Sequence, residues 1–114
     1  MKNKKIKIAY KIWLEKNGKP ILGKGGAQIL EAIKTEKSVS KAAEKLGMSY
    51  RYVWSYVDRM NTILGEPAVK AYRGGKQGGG GANLTSQGEQ LLEKFKQTEK
   101  HIKEALTDKQ HSKV

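Results

Sequence analysis

The sequence contains no cysteine, only two prolines and one phenylalanine, and no apolar run longer than a few residues. Without cysteine it has no disulfide framework, no thiolate metal site and no thiol nucleophile. Its apolar runs are far shorter than the roughly 20 residues that a membrane-spanning helix needs, and no signal-peptide core follows the first lysines. We therefore expect a cytoplasmic protein that does not enter a membrane.

Catalytic and metal-binding patterns are also scarce. The two histidines, His101 and His111, do not stand at a spacing typical of metal ligands. Residues 18–25 (GKPILGKG) resemble a phosphate-binding loop, but Gly25 stands where that motif needs Ser or Thr to hold Mg²⁺. The run GGKQGGGG at 74–81 does not fit the dinucleotide-binding pattern. We expect no enzyme activity, no metal and no cofactor.

Positive charge is abundant and unevenly distributed. The chain has 23 Lys and Arg residues against 11 Asp and Glu residues, a formal net charge of +12. Residues 1–24 carry +7 of this excess and residues 68–85 carry +3, whereas residues 25–67 and 86–114 carry +1 each. An excess of this size predicts a polyanionic partner, with nucleic acid the first candidate and an anionic membrane surface the second.

At 114 residues the chain has the length of one domain. Residues 5–14 alternate between apolar and mostly basic side chains, which predicts a half-buried strand, and Asn17-Gly18 predicts a tight turn. We expect a mostly α fold with small β elements: a basic N-terminal hairpin (1–22), helices (23–64), a glycine-rich wing (68–85), a long helix (86–106) and a disordered tail (107–114).

The middle of the chain has the pattern of a helix-turn-helix. Ser38 or Ser40 can cap a short helix that ends at Gly47, and Ser49 can cap the next helix, which runs to about Leu64. Ala43 is small enough for a close helix crossing, and Gly47 tolerates the positive φ of a short turn. The helix that follows places Val53, Tyr56, Val57, Met60 and Leu64 on one face, which predicts its core side.

The opposite face of that helix carries Arg51, Ser55 and Thr62, with Tyr52 and Arg59 on one flank. Arginine pairs bidentately with guanine, and Ser and Tyr bond base edges or phosphates, so this face has the chemistry of a major-groove reader. The segment that follows resembles a wing, because two strand-like runs flank the glycines at 74–81. A flexible linker is the alternative interpretation of the same glycines.

Two stretches carry a family resemblance: VSKAAEKLGMSYRYVWSYVDRMN (39–61) and RGGKQGGGGANLTSQGEQLL (73–92). They resemble the N-terminal DNA-binding domain of the molybdate-responsive ModE transcription regulators, a LysR-like winged helix that forms dimers. The resemblance implies DNA contacts by the recognition helix and the wing. Because full ModE regulators bind molybdate in a C-terminal domain and this chain stops after its last helix, we expect no oxyanion-binding domain here.

From these patterns we predict a homodimeric transcription regulator that binds specific double-stranded DNA. The predicted DNA-binding residues are Ser40, Lys41, Ser49, Tyr50, Arg51, Tyr52, Ser55, Arg59, Arg73, Lys76, Gly78 and Gly79. The predicted dimer contacts are Leu91, Leu92, Phe95, Ile102 and Leu106. They lie on the long helix, whose apolar stripe we expect to be buried partly on its own domain and partly on the partner. The alternatives are a non-sequence-specific RNA or nucleoid protein, a protein-docking module and an oxyanion sensor that uses the wing amides.

Overall fold

The computed structural model describes residues 5–72 and 80–110 of the chain. It contains four helices and two antiparallel hairpins within those residues. In chain order the elements are β1 (Leu14–Lys16), β2 (Lys19–Leu22), α1 (Lys24–Glu36), α2 (Val39–Leu46), α3 (Tyr50–Leu64), β3 (Val69–Tyr72), β4 (Gly81–Leu84) and α4 (Ser86–Gln110). This order is that of a winged helix-turn-helix, which confirms the predicted fold class.

The N-terminal hairpin is present but shorter than predicted. Strands β1 and β2 pair antiparallel, and Lys16 faces Lys19 across the loop. Asn17 (φ 53°) and Gly18 (φ 79°) both have positive φ, as a two-residue hairpin turn of the I′ type requires. Residues 6–13 form no strand, so the predicted half-buried strand over 5–14 is wrong for most of its length.

That error has a physical reason. An alternating pattern becomes a half-buried strand only where a sheet or helix covers its apolar side. Ile6 is 72% exposed and Ile8 is 50% exposed, so the described residues of the chain do not cover this part of the N-terminal segment.

Helices α1, α2 and α3 pack around one core together with β2, the wing strands and the first half of α4. Ile29, Leu30 and Ile33 of α1 have no exposed surface, nor do Val53, Val57 and Met60 of α3. The second set matches the core side predicted for this helix, and Tyr56 and Leu64 lie half-buried at its margins.

The wing strands and α4 complete the domain. Strands β3 and β4 pair antiparallel from Val69 opposite Leu84 to Tyr72 opposite Gly81, and the N–H of Ala82 donates to the carbonyl of Lys37 at 2.9 Å. Helix α4 continues to Gln110, so the predictions of a helix end at residue 106 and of disorder over 107–110 are wrong. Residues 111–114 lie outside the described part. No helix among the described residues is long and apolar enough to cross a membrane.

Candidate nucleic-acid interface

The turn between α2 and α3 holds the two helices in a fixed relation. Gly47 takes the left-handed conformation (φ 69°), and the N–H of Met48 donates to the carbonyl of Ala43 at 2.9 Å. Ala43 is 2% exposed and Ala42 is fully buried, which lets the helices cross closely. Because Gly47, Met48 and Ser49 are the only residues between α2 and α3, the start of α3 has little freedom to move.

Both helices of this motif begin with a serine cap. The hydroxyl of Ser38 accepts from the N–H of Lys41 at 3.1 Å, so Ser38 rather than Ser40 caps α2. The hydroxyl of Ser49 accepts from the N–H of Tyr52 at 3.0 Å and caps α3. An N-terminus of this kind carries a partial positive charge that favours a nearby phosphate.

One face of α3 is open to solvent along its length. Arg51, Ser55 and Arg59 are exposed, and Tyr50 and Tyr52 are more than half exposed. Ser40 and Lys41 are exposed at the start of α2. All the described residues that were predicted to contact DNA are therefore accessible, and they lie on α2, on α3 or, for Ser49, at the cap between them.

Aromatic side chains order one flank of α3. The rings of Tyr52 and Tyr56 lie 6.2 Å apart, and the guanidinium of Arg59 lies 5.1 Å from the centroid of the Tyr56 ring. Tyr50 and Trp54 make an edge-to-face pair at 6.3 Å. Since a cation over an aromatic face is attracted by the ring quadrupole, Tyr56 holds Arg59 beside the exposed face.

The N-terminal hairpin touches the far end of α3. The ammonium of Lys16 donates to the carbonyl of Leu64 at 2.6 Å, at the C-terminus of the helix, where a cation also interacts favourably with the helix dipole. Residues 8–12, Gly23–Gly25 and Tyr56 line a groove together with Glu99 and Lys103 of α4. The described part of the basic N-terminal segment thus lies next to α3.

Comparison with known proteins identifies this arrangement. Residues 26–89 match the description "bacterial regulatory helix-turn-helix protein, lysR family", and this range holds α2, α3, the wing strands and the start of α4. The chain belongs to this family. As a lysR-family helix-turn-helix domain, it has the architecture of DNA-binding transcription regulators.

The curated relatives of this lysR-family chain are ModE and Mop proteins. It is 37% identical over 79 residues to the molybdenum transport protein ModE of Azotobacter vinelandii, covering 69% of the chain and 29% of that protein. It is 37% identical over 101 residues to the molybdenum-pterin-binding protein MopB of Rhodobacter capsulatus, covering 89% and 37% respectively. With the DNA-binding transcriptional dual regulator ModE of Escherichia coli, identity is 36% over 67 residues, covering 59% and 25%.

These alignments therefore cover only 25% to 37% of the relatives' own lengths. These matches confirm the ModE resemblance of this lysR-family chain.

Four predicted wing contacts, Arg73, Lys76, Gly78 and Gly79, lie outside the described residues. The wing strands on either side are described: Lys70, Ala71 and Tyr72 are exposed on β3, as is Asn83 on β4. The prediction that the wing glycines and Lys76 contact DNA therefore stays a prediction.

The predicted dimer contacts divide into two groups. Leu91, Leu92 and Phe95 are at most 9% exposed and belong to the core of this domain, which corrects their assignment to a dimer interface. They pack inward because the first half of α4 lies against α1, where Lys34 pairs with Glu89 at 3.0 Å and Lys96 with Glu31 at 3.1 Å. Only Ile102 and Leu106 keep part of their surface exposed.

The ion pairs along α4 are exposed and hold it to α1 only weakly. Glu89 raises the pKa of Lys34 by accepting its hydrogen bond and by its charge. Exposed pairs of this kind contribute little to stability, so the buried leucines and Phe95 account for most of the α1–α4 contact.

Sequence reasoning missed three side chains that shape this interface. Lys16 bonds to the carbonyl of Leu64, 48 positions away in the sequence, and no local pattern predicts such a bond. Asn61 entered only as a letter of the ModE-like motif and Thr85 only as a candidate cap of the last helix, yet both also bond to the backbone that joins α3 to the wing. Asn61 could have been found from its position, because it is a polar residue in the last turn of a helix that is followed by a Gly and a Pro.

Proposed function

We propose that this protein is a homodimeric transcription regulator that binds specific double-stranded DNA, with α3 as its recognition helix in the major groove. One observation carries the proposal: α3 exposes Arg51, Ser55 and Tyr52 on one continuous face, while a short capped turn fixes its start. A helix of 15 residues is about 22 Å long, enough to read several base pairs.

The exposed side chains of α3 suit base recognition. The guanidinium of Arg51 can donate two hydrogen bonds to O6 and N7 of guanine, and the carboxylate of Asp58 can accept one from cytosine. Arg59, held over Tyr56, is better suited to a phosphate, because a stacked guanidinium keeps its donors at the edge of the helix. Arg51 is thus the main specificity residue and Arg59 a backbone contact.

Affinity comes largely from charge outside α3. Each phosphate contact releases counterions, so binding weakens steeply as salt rises. The N-terminal segment supplies Lys5, Lys7 and Lys11, all exposed, and the wing supplies Arg73, Lys76 and the amides of Gly78 and Gly79. The segment and the wing both add phosphate contacts to those of the recognition helix.

The dimer forms through the apolar surface that the single chain leaves uncovered. Ile102 and Leu106 lie on the second half of α4, and Ile6 and Ile8 are exposed on the N-terminal segment, which approaches α4 near Glu99 and Lys103. Two-fold symmetry would place two recognition helices about 34 Å apart on a pseudo-palindromic site.

The test of the proposed function is selection of binding sites from random duplex DNA with the wild-type chain, followed by titration of the selected duplex. Arg51→Ala should weaken binding by about 1 to 3 kcal/mol and relax the preference at one or two base pairs. Lys96→Ala, which removes one positive charge from an α4 residue paired with Glu31, is the charge-matched control and should preserve the preference. Selection that returns no shared sequence would refute specific recognition.

A second function, nucleic-acid binding without sequence preference, is favoured by the +12 charge and its concentration outside α3. In that case structured RNA should compete with duplex DNA at equal strength at fixed salt, and Arg51→Ala should behave like Lys96→Ala. Under the first proposal, the selected duplex resists competition by RNA.

A further inference from the structure

The segment that joins α3 to the wing is tied down at two successive residues. The N–H of Ala68 donates to Oδ1 of Asn61 at 2.8 Å, and the carbonyl of Ala68 accepts from the N–H of Thr85 at 2.9 Å. The hydroxyl of Thr85 donates to the carbonyl of Pro67 at 2.6 Å. Ala68 is fully buried. The backbone N–H of Ala68 is therefore bonded to α3, and its carbonyl is bonded to Thr85, which follows β4.

The two anchors belong to different helices. Asn61 is in the last turn of α3, where its own carbonyl accepts from the N–H of Gly65 at 2.9 Å and Gly65 ends the helix with a φ of 83°. The hydroxyl of Thr85 also accepts from the N–H of Gly88 at 3.1 Å and so caps α4. Asn61 thus moves with the recognition helix, and Thr85 moves with β4 and α4.

Gly88 closes the remaining space around the connection. A Cβ at this position would collide with the carbonyl oxygen of Ala68, and it would lie 2.9 Å from the carbonyl carbon. The first turn of α4 therefore rests directly on the Ala68 backbone. With hydrogen bonds on two sides and a helix on the third, the entry to β3 cannot turn independently of α3.

We propose that Asn61 and Thr85 are positioning residues that fix the angle between the recognition helix and the wing strands β3 and β4. The role in DNA binding rests on the proposed function. If the helix and the wing are already held in one arrangement, binding a duplex does not have to include the entropic cost of ordering them. Neither side chain needs to touch DNA. Loss of either anchor widens the range of angles between α3 and the wing strands, while α3 and its exposed face stay intact and β4 stays bonded to Lys37.

The experiment measures the angle directly, without DNA. Because the chain has no cysteine, cysteines placed at the exposed positions Asp58 on α3 and Asn83 on β4 can be spin-labelled uniquely. The labelled chain is diluted with an excess of unlabelled chain, so that a dimer contains one labelled pair, and the wild-type background should then give one narrow distance distribution. Asn61→Leu and Thr85→Val, which keep side-chain size but remove the bonds, should broaden it, whereas Asn61→Asp, which keeps the acceptor, should not.

Thr35→Val is the matched control, since the hydroxyl of Thr35 bonds only to carbonyls of its own helix. Distributions that stay narrow in both Asn61→Leu and Thr85→Val would overturn the proposal, as would a lowered melting temperature without broadening. Should one variant fail to fold, the other decides. Should neither fold, Asn61→Ser, which shortens the side chain without adding bulk, is measured and interpreted in the same way.

A second measurement connects the angle to DNA binding with unlabelled chains. Affinity for the selected duplex should fall about tenfold in Asn61→Leu and stay within about threefold of wild type in Asn61→Asp, because only the former must order the wing on binding. A wild-type chain that binds no duplex would refute the proposed function, while the distances would still decide the role of Asn61 and Thr85.

Discussion

Two adjacent glycines at the start of α1 should respond in opposite directions to the same substitution. Gly25 is exposed, and a Cβ built there meets no atom within 4 Å. Gly26 is buried, and its Cβ would lie 2.5 Å from the hydroxyl of Tyr56 and 2.6 Å from Cβ of Leu22. Both residues are in the first turn of the same helix, so the change in helix propensity is nearly equal for the two.

The magnitudes follow from that comparison. Replacing Gly by Ala within a helix stabilises it by up to about 1 kcal/mol, and nothing opposes this gain at Gly25. At Gly26 the gain is offset by overpacking, which typically costs about 1 to 3 kcal/mol. The Tyr56 hydroxyl is the end of a side chain and can move, but Leu22 is 1% exposed and its Cβ moves only with β2. We expect Gly26→Ala to destabilise the domain by about 1 to 2 kcal/mol net.

Thermal unfolding followed by circular dichroism measures both changes. Each kcal/mol corresponds to roughly 4 °C in a domain of this size, so Gly25→Ala should raise the melting temperature by a few degrees and Gly26→Ala should lower it by several. Equal shifts in the two variants would refute the reasoning, because they would mean that packing between α1, β2 and Tyr56 is looser than the distances indicate.

Three further substitutions test the interface. Ser49→Ala should cost about 1 kcal/mol of stability through loss of the α3 cap. Ser49→Asp should keep the cap but weaken DNA binding, because its carboxylate is repelled by phosphate. Equal DNA affinity in wild type and Ser49→Asp would show that this residue does not lie near the DNA backbone. Replacing Lys5, Lys7 and Lys11 by Gln should lower the slope of log affinity against log salt by up to about 3, and an unchanged slope would exclude the N-terminal segment from the footprint. Ile102→Glu should shift sedimentation toward the monomer and remove the dependence of the melting temperature on protein concentration. A wild-type chain that sediments as a monomer at tens of micromolar would refute the dimer.

Short-range chemistry explains why much of the fold could be predicted. The left-handed conformations of Gly47 and Gly65 and the caps at Ser38 and Ser49 are decided by neighbours within four residues, and the sequence pattern predicted those helix ends. The apolar face of α3 follows from helical periodicity alone. The end of α4 was predicted too early because charged residues continue a helix as readily as apolar ones when no Gly or Pro intervenes.

What could not be predicted depends on partners distant in sequence. The alternation in residues 5–14 indicates a strand only if something covers it, and the structure leaves Ile6 and Ile8 exposed. The stripe on α4 looks like one continuous interface, yet Leu92 and Phe95 are covered by the domain's own core and Ile102 remains partly exposed. Periodicity reports that a face is apolar, but it does not report which molecule covers that face.

The residues of the ModE-like motif have two different physical roles. Asn61, Thr85 and Gly88 stand in its most distinctive parts. Asn61 bonds to the backbone of Ala68 from α3, whereas Thr85 and Gly88 contact Pro67 and Ala68 from the start of α4. Arg51 is exposed and bonds to none of this frame. Because the frame is independent of what Arg51 contacts, relatives can keep the angle between helix and wing while the base-reading side chains change. Similarity in this region is stronger support for the geometry of binding than for the DNA sequence that is bound.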